Sequence, residues 1–582
     1  MTDQTVRFSA FSENLIVQMK IGAFLIRRLQ EAGLRHIFGV PGDFNLSLLE
    51  QIQAAEGIEF VGNCNELNAA YAADGYARTT GLGALVTTFG VGDLSAIGGV
   101  AGSYAESVPV VHITGTPPLH AVESRALLHH TLVDGDYDNI ERCMSEFTVA
   151  QARITHANAA FEVDRVLRTC WLMRRPVHLQ VPSDLTHIVV EVPDTPLILE
   201  DPGSDQDQLQ EASAEIVERL RAARAPAILV DADVGRFGVA DLVLSLAERG
   251  GIPWISLPSA KGVLDETSMQ YAGIYFGAAS AASVRALVEE SDCLIGIGLR
   301  FTDTNTLFFS QRIDRRSFLD VRRHDVCIAG RQMPGVTLRD LLRRVSDAVP
   351  PRLWQSRRPP VPRAVTPETG TLTHASFWPR VERFLRPGDV VVGEAGTAHA
   401  ALASTPLPHG ATYLAQPLWG AIGYTLPALF GSLVGSPSRR HILFIGDGSF
   451  QLTAQELSSI VRYKLKAIIF LLNNSGYTIE RLILGERSAY NDVSNWRYAD
   501  LPRVFGCAGN ALSLVVETVA ELEHALDLAT DADQLVFLEV KLPMLDAPES
   551  LKRLAEVVAD YDYGERGPRN PSVKRLSGGR RE

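Results

Sequence analysis

Two polar turns carry the strongest chemical signal in the sequence. Asp447 follows the apolar run His441–Ile445, and Asn474 follows the apolar run Ala467–Leu472. In a doubly wound sheet, ligands bind in the crevice at the carboxyl ends of the strands. A carboxylate, an amide oxygen and free backbone carbonyls are oxygen ligands that suit Mg²⁺, which completes its octahedron with phosphate and water. The two turns therefore predict a site for a magnesium-bridged diphosphate.

The residues around Asp447 support the same interpretation. Gly446 and Gly448 allow the backbone to approach a ligand closely, and a helix is predicted to begin near Leu452. Its free amides and positive dipole end would attract phosphate. GDG by itself is also common in plain tight turns, but the second polar turn after the next strand favours a binding site.

A pair of adjacent histidines, His129 and His130, is a candidate for proton transfer. Imidazole titrates near pH ~6.5 and can hold either form at neutral pH. A metal site is disfavoured because the sequence has no HExxH spacing and no cysteine nearby. Two structural histidines remain the alternative for this motif alone. Likewise, Glu66 in NEL alone could be a surface glutamate at a helix start.

The elements that must position these residues alternate along the chain. Helix-like stretches include Leu15–Ala32 and Leu452–Lys464. Continuous apolar strands separated by helices indicate parallel sheets that are covered on both faces. The strand-like runs lie at 86–89, 108–114, 227–230, 294–297, 441–445 and 467–472.

Two segments rich in Pro, 191–206 and 349–370, are predicted linkers. They divide the chain into three α/β domains, which we place at 13–190, 208–348 and 370–560. Residues 564–582 are predicted to be a flexible basic tail.

The composition excludes several classes of protein. The 582 residues are 46% hydrophobic and 21% charged, as in ordinary globular proteins. The net charge of −13 argues against nucleic-acid binding. The absence of a long apolar segment argues against a membrane span, and no signal peptide is evident at the N-terminus. Six scattered cysteines exclude a disulfide framework, so we expect a cytoplasmic protein.

The spacing of GDGS (446–449) and Asn473–Asn474 resembles the thiamine-diphosphate signature. Further segments resemble the thiamine-diphosphate-dependent 2-keto acid decarboxylases, which act on pyruvate, indolepyruvate, phenylpyruvate or branched-chain keto acids. The resemblance covers about residues 13–560 and implies three doubly wound parallel-sheet α/β domains: pyrimidine-binding, central and diphosphate-binding. The segments are VPGDFN (40–45), NELNAAYAADGYAR (65–78), LLHHTL (127–132), KGVLDE (261–266), QPLWGAIGYT (416–425) and GYTIE (476–480).

This resemblance implies a role for each candidate residue, with thiamine diphosphate and Mg²⁺ as cofactors. The metal ligands would be Asp447, Asn474 and the Gly476 carbonyl. Glu66 would face the aminopyrimidine ring, Ile422 would separate the two rings, and the Gly420 carbonyl would orient the amino group. The other cofactor contacts would be Thr397, Gly448, Ser449 and Tyr477. The catalytic polar set would be Asp43, Glu66, His129, His130 and Glu480.

The resemblance also implies partners. The substrate would be a small 2-keto acid, with neither nucleic acid nor a membrane as partner. Because the site residues come from the first and third domains, which meet across subunits in the family, the smallest unit would be a homodimer. A homotetramer is favoured.

The pocket segments depart from the family pattern at some positions. Ala395 replaces a common Thr or Gln, and His399 replaces a bulky aromatic residue. Ile479 is typical of pyruvate-restricted enzymes, whereas QPLWGAIGYT resembles the indolepyruvate and branched-chain types. We expect broad specificity that includes aromatic or branched-chain keto acids, with pyruvate decarboxylase as the alternative. Residues 302–308 and the helix near 548–557 are expected to complete the pocket.

Three other classes of function remain as competitors. A thiamine-dependent carboligase is disfavoured by the histidine pair and Glu480. A dinucleotide oxidoreductase is disfavoured because Ser95 occupies the third glycine position of GxGxxG in Phe89–Val100. A non-catalytic binding module is least favoured.

Overall fold

A computed structural model describes residues 16–351, 354, 369–507, 509, 511–564 and 566–568. Most of the predicted linker 349–370 and most of the predicted basic tail 564–582 lie outside the described residues. The chain forms two compact units. The first contains residues up to 104 and 108–200, and the second contains 105–107 and the chain from 201 onward.

The first unit is built on a six-stranded parallel sheet in the order β3-β2-β4-β5-β7-β6. Every residue of β4 and β5 is buried, as expected for a parallel sheet covered on both faces. The strands of this part of the chain are β1 (Ile16–Lys20), β2 (His36–Gly39), β3 (Glu59–Gly62), β4 (Gly83–Thr88), β5 (Val110–Thr116), β6 (Gln151–Arg153), β7 (Val177–Pro182) and β8 (Val189–Pro193). The helices are α1 (Ile21–Glu31), α2 (Leu46–Ala54), α3 (Glu66–Thr80), α4 (Val91–Ala105), α5 (Leu119–Glu123), α6 (Asn139–Ser145) and α7 (Ala159–Met173).

A separate two-stranded sheet corrects two predictions. β1 pairs antiparallel with β8, with Val17 opposite Val192. The predicted helix Leu15–Ala32 therefore begins only at Ile21, because VQMK (17–20) alternates apolar and polar residues with the period of a strand. The predicted linker 191–206 likewise begins inside a strand, in which Val190 and Val192 are buried.

The second unit contains two further sheets, of which the central one has the order β11-β10-β9-β12-β13-β14-β15. Its strands are β9 (Pro226–Val230), β10 (Trp254–Ser256), β11 (Tyr271–Ile274), β12 (Cys293–Ile297), β13 (Phe318–Val321), β14 (Asp325–Ile328) and β15 (Arg331–Pro334). The helices are α8 (Gln206–Ala222), α9 (Asp233–Arg236), α10 (Ala240–Gly250), α11 (Ala282–Glu289), α12 (Asp303–Thr306) and α13 (Leu338–Ala348).

The predicted α/β class with parallel sheets is confirmed, and the central sheet carries in addition an antiparallel edge. β13, β14 and β15 are antiparallel neighbours at one edge. The links between these strands are only a few residues long. Such links are too short for the crossover that a parallel pair requires.

The C-terminal sheet is parallel, in the order β17-β16-β18-β19-β21-β20. Its strands are β16 (Val390–Gly393), β17 (Thr412–Leu414), β18 (His441–Gly446), β19 (Ile468–Asn473), β20 (Ala511–Val516) and β21 (Leu535–Lys541). The helices are α14 (His374–Phe384), α15 (Thr397–Leu402), α16 (Thr425–Gly435), α17 (Asp447–Thr453), α18 (Leu457–Arg462), α19 (Thr478–Ile483), α20 (Leu501–Val504), α21 (Val519–Thr530) and α22 (Glu549–Tyr563).

The helix predicted near Leu452 begins earlier, at Asp447, directly after β18. It is interrupted by a short 3₁₀ turn at Ala454–Glu456 before α18. The six predicted strands correspond to β4, β5, β9, β12, β18 and β19, with ends shifted by up to three residues. All six cysteines lie in the described part of the chain as free thiols, of which Cys170 and Cys293 are buried and Cys64 is exposed. Among the described residues, no helix combines the length and apolar character needed to span a bilayer.

Candidate active site

Three oxygen atoms converge at the carboxyl ends of β18 and β19. The side-chain oxygen of Asn474 lies 2.8 Å from the carbonyl oxygen of Gly476 and 3.3 Å from Asp447 Oδ1. Three acceptors at such distances repel one another unless a cation lies among them or the amide turns its nitrogen toward the other two.

The hydrogen bonds of Thr478 favour the orientation that suits a cation. Thr478 Oγ1 donates to the carbonyl oxygen of Met544 at 2.9 Å, so its lone pairs can accept from the Asn474 nitrogen 2.8 Å away. With its nitrogen engaged in this way, Asn474 directs its oxygen toward Asp447. The donor set therefore fits a hard divalent cation.

Backbone amides hold the Asp447 carboxylate in place. Gly448 N donates to Oδ1 at 2.9 Å, and Gly476 N donates to Oδ2 at 3.0 Å. The residue is 1% exposed. Burial raises the pKa of Asp447 to about 6, against the opposing effect of these amides. A bound cation would favour the ionised carboxylate.

Glycine is required at two positions beside this carboxylate. Gly476 has φ +133°, and a Cβ there would lie 2.1 Å from the carbonyl oxygen of Asn491. A Cβ on Gly448 would lie 2.5 Å from the ring of Tyr477. Tyr477 thus packs directly on the GDGS turn, and the adjacent Ser449 is buried. These predicted cofactor contacts lie together around Asp447.

A second predicted group lies on the segments before α15 and α16. Gly420 has φ +67°, and a Cβ built on it would meet no atom within 4 Å. Ile422 is 38% exposed, unlike an ordinary core residue. An exposed isoleucine in a cavity wall suits an apolar wedge between two ligand rings. Thr397 is the first residue of α15.

Gly420 and Ile422 line a cavity of about 560 Å³ in the second unit. Glu480 and Ile479 of α19 line it as well. Both predicted pocket-completing segments are confirmed in part, because the lining includes Thr304 and one face of α22. The α22 residues are Ser550, Leu551 and Leu554.

In the first unit, Glu66 is the first residue of α3. The Asn65 side chain caps this helix by accepting from the backbone N of Asn68 at 2.8 Å. Glu66 is half-buried. A Cβ on Gly92 would lie 3.5 Å from Glu66 Oε1, so α4 begins close to this carboxylate.

The histidine pair contacts Asp43, another member of the predicted polar set. His129 Nε2 lies 2.8 Å from Asp43 Oδ2, and His130 Nε2 lies 3.7 Å from Asp43 Oδ1. Phe44 stacks on the ring of His129. Gly90 allows the histidine loop to approach, since a Cβ there would lie 1.9 Å from the carbonyl oxygen of His130. Gly90 therefore has a packing role that does not require a bound dinucleotide.

Sequence reasoning missed a buried carboxylate behind the cavity wall. Glu394 is 1% exposed and follows β16 directly. It accepts from the Thr425 hydroxyl at 2.5 Å and from the backbone N of Ala395 at 3.1 Å. Burial raises the pKa of Glu394 to about 7. In the sequence it lies between Gly393 and Ala395, directly after an apolar strand, and this position gave no local signal of the contact.

A buried ion pair within KGVLDE was also missed, although the motif itself was noted. Lys261 Nζ lies 2.7 Å from Glu266 Oε2 and 2.7 Å from the carbonyl oxygen of Thr405. Leu407 N donates to Glu266 at 3.0 Å. The pair therefore joins the central segment to the loop after α15, and both charged residues line the cavity.

Comparison with known proteins identifies the family. Residues 19–140, 213–332 and 393–540 match the N-terminal TPP-binding, central and C-terminal TPP-binding domains of thiamine pyrophosphate enzymes. An alpha-keto-acid decarboxylase of Mycobacterium leprae is 42% identical over 93% of this chain and 96% of its own length. The chain belongs to the thiamine-diphosphate-dependent 2-keto acid decarboxylases.

Fungal relatives of this decarboxylase family are similar over the same extent. A pyruvate decarboxylase of Aspergillus fumigatus is 39% identical over 93% of this chain and 97% of its own. The pyruvate decarboxylase isozyme 2 of Saccharomyces cerevisiae is 38% identical over 93% and 99%. The predicted decarboxylase residues fall into two groups. Asp43, Glu66, His129 and His130 lie in the first unit, and the predicted residues from 397 to 480 lie in the second.

Proposed function

We propose that the protein decarboxylates a 2-keto acid non-oxidatively, releasing an aldehyde and CO₂, with thiamine diphosphate and Mg²⁺ bound. One observation carries this proposal: the Asp447 carboxylate, the Asn474 amide and the Gly476 carbonyl meet in the same unit as a cavity lined by Ile422 and Glu480. This arrangement fits a metal-bound diphosphate coenzyme whose reactive end meets a substrate pocket.

The coenzyme would be held at its diphosphate end by the C-terminal sheet. Asp447, Asn474 and the Gly476 carbonyl would bind Mg²⁺, which prefers oxygen ligands. Backbone amides at the start of α17, including that of Ser449, would donate to phosphate oxygens, and Gly448 would line the diphosphate. Thr397 and Tyr477 would complete this end.

When bound, thiamine diphosphate supplies a thiazolium ring that accepts the electron pair left by departing CO₂. The chain's own residues orient the coenzyme and exchange protons. Glu66 would share a proton with a pyrimidine ring nitrogen. Gly420 would accept from the amino group, and Ile422 would keep the two rings of the coenzyme apart.

Proton exchange with the substrate would fall to the remaining polar groups. Asp43 holds the His129 ring in place through the 2.8 Å contact. Groups of this kind contribute about 10²–10⁴ in rate as general acids or bases. Glu480, in the cavity wall, would lie near the carboxylate that leaves and then supply a proton.

The small side chains of the cavity wall favour substrates larger than pyruvate. The reactive end of the coenzyme would share the cavity of about 560 Å³ with the substrate, because Gly420 and Ile422 line it. One face of α15 and its flanks presents small residues to this space: Gly396, Ala400, Ala403 and Ser404. We therefore propose broad specificity that includes aromatic and branched-chain keto acids.

We also propose a cytoplasmic homo-oligomer, at least a dimer and more specifically a tetramer. Each coenzyme would then contact the Glu66 group of one subunit and the Asp447 group of another. The division of the predicted residues between the two units supports this proposal.

Steady-state rates with pyruvate, 2-ketoisovalerate, phenylpyruvate and indolepyruvate test the proposed function, with coenzyme and Mg²⁺ supplied. We expect CO₂ and the matching aldehyde, with a larger kcat/KM for at least one bulky substrate than for pyruvate. A hydroxyketone as the main product would indicate a carboligase. No CO₂ from any of the four acids would refute the proposal.

A further inference from the structure

His399 places one edge of an imidazole in the wall of the substrate cavity. The residue lies on α15 and lines the cavity. Its Nδ1 lies 2.8 Å from the hydroxyl of Tyr413, and the two rings are stacked with centroids 5.9 Å apart. Nε2 has no hydrogen-bond partner in the described part of the chain.

The contact with Tyr413 determines which imidazole nitrogen carries the proton. Within the described residues, the Tyr413 hydroxyl has one hydrogen-bond partner, His399 Nδ1. A buried hydroxyl donates its hydrogen where an acceptor is available. Nδ1 therefore accepts, and the neutral ring carries its hydrogen on Nε2, on the edge left for the cavity.

The imidazole stays uncharged near neutral pH. Burial lowers the pKa of His399 to about 4, and the positive charge of Lys261 acts in the same direction. Burial also raises the pKa of Tyr413 above its ordinary value, so its hydroxyl keeps the hydrogen that it donates. The cavity wall thus presents a neutral N–H donor rather than a cation.

The buried ion pair of the cavity wall does not compete for the same role. Lys261 and Glu266 are paired with each other and with backbone groups of Thr405 and Leu407. The Ser550 hydroxyl donates to the carbonyl oxygen of Ala400 at 3.0 Å.

We propose that His399 Nε2–H selects uncharged 2-keto acid side chains that carry a hydrogen-bond acceptor, such as an ether or carbonyl oxygen. This inference rests on the proposed decarboxylase function and deepens it. An acceptor on the substrate satisfies the N–H donor, whereas an apolar side chain of equal shape leaves the donor unpaired. A second carboxylate on the substrate gains no ion pair from a neutral ring.

Matched isosteric substrates test the proposal. Phenylpyruvates with a methoxy or an ethyl group, at the meta and para positions, differ mainly in one acceptor oxygen. The measured quantity is the methoxy-to-ethyl ratio of kcat/KM. In His399→Phe, we expect this ratio to fall about three- to tenfold at one of the positions, the range set by one neutral hydrogen bond.

Two further variants separate recognition from a structural effect. Tyr413→Phe keeps the imidazole but removes the group that fixes its proton on Nε2, so the ratio should fall in the same direction. His524→Phe makes the same substitution as His399→Phe at an exposed helical position. It should leave the ratio unchanged.

The outcomes distinguish this inference from the proposed function. A ratio that stays constant in His399→Phe and in Tyr413→Phe, while the keto acids are still decarboxylated, would overturn the role of His399 alone. If His399→Phe fails to fold, the ratio in Tyr413→Phe decides. Failure of the wild-type protein to decarboxylate any keto acid would overturn the proposed function itself.

Discussion

Burial decides how each titratable group of the candidate site behaves near neutral pH. It raises the pKa of Asp447 to about 6 and that of Glu394 to about 7, so these carboxyls hold protons unusually well. It lowers the pKa of His399 to about 4. By contrast, the His129 and Asp43 side chains are 60% and 46% exposed, where solvent and substrate can reach them.

Replacing Glu66 by Gln tests the acidic group of the first unit. Gln keeps the shape of the side chain but cannot ionise, so turnover should fall at least ~100-fold, the scale of one proton-transfer group. Folding should be intact because Glu66 is only half-buried. The measurement is kcat together with the thermal unfolding midpoint. Glu56→Gln, in an exposed loop, is the control. Near-wild-type turnover in Glu66→Gln would contradict the assigned role.

The buried His178 makes the first unit sensitive to acid. Burial lowers the pKa of His178 to about 3, with His112 acting in the same direction. The unfolded chain takes up this proton near pH ~6.5, whereas the folded chain does not until about pH 3. The unfolded state thus binds more protons in this window. The free energy of unfolding therefore falls as the pH drops below ~6.5, by about 1.4 kcal/mol per pH unit.

His178→Gln should remove this pH-dependent contribution, because the Gln side chain does not titrate. The Gln amide can still donate to the Thr114 hydroxyl, which contacts His178 Nε2 at 2.8 Å. Denaturant unfolding between pH 7 and 5 should then show a shallower loss of stability than in the wild type. His187→Gln, at an exposed position, should retain the wild-type slope. Equal slopes in all three proteins would show that His178 does not bind the additional proton on unfolding.

At the scale of elements, the site depends on loops that leave parallel strands at one edge of a sheet. β18 and β19 are neighbours in register, with Ile445 opposite Leu471. This pairing brings Asp447 and Asn474 together, although they are distant in sequence. The turn at Ser475 and Gly476 has two successive residues with positive φ, at 62° and 133°.

Gly476→Ala should weaken binding of the coenzyme and Mg²⁺ by tenfold or more. The new Cβ would lie 2.1 Å from the carbonyl oxygen of Asn491. The turn must then move, and with it a carbonyl and an amide that face Asp447. Titration of coenzyme and Mg²⁺, followed by intrinsic fluorescence, measures the change.

Gly388→Ala is the matched control for Gly476→Ala. Gly388 also has positive φ, +81°, but a Cβ there would meet no atom within 4 Å. An alanine at position 388 would therefore also need a positive φ, but its Cβ would not overlap a neighbouring atom. Equal effects of the two substitutions on coenzyme binding would refute the role given to the Asn491 contact.

At the scale of the whole molecule, the predicted residues divide between two compact units. If each site takes Glu66 from one subunit and Asp447 from another, two inactive variants should restore activity when they are mixed. The variants are Glu66→Gln and Asp447→Asn. A mixed dimer would contain one doubly substituted site and one intact site. Random assembly would therefore restore about a quarter of wild-type activity.

The complementation experiment is a co-expression of the two variants with different affinity tags, followed by isolation of the mixed oligomer. Its activity should exceed that of either variant alone by far, and sedimentation should give a dimer or larger. A site formed within each single chain would leave every site with one substitution. Absence of restored activity in the mixed oligomer would thus refute the shared site.

The sequence alone determined the strands and the ligands that follow them. Apolar runs such as His441–Ile445 are local signals, and the oxygen-bearing residues after β18 and β19 must meet because parallel strands end at one edge. The resemblance then named Glu66, Asp43 and His129 as candidate site residues. Local signals failed where the spacing of apolar residues changed from that of a strand to that of a helix within one segment. This happened at Ile16–Lys20, which was predicted to be helical and forms a strand.

Only the tertiary structure decided the contacts between segments that no local pattern joins. Glu394 meets Thr425, Lys261 meets Thr405, and His399 meets Tyr413. Each pairing depends on how separate loops pack in three dimensions, and burial, which sets the charge of these groups, is also a property of the folded chain. For this reason the sequence determined which coenzyme the protein can hold, whereas the fold determined the size and polarity of the pocket beside it.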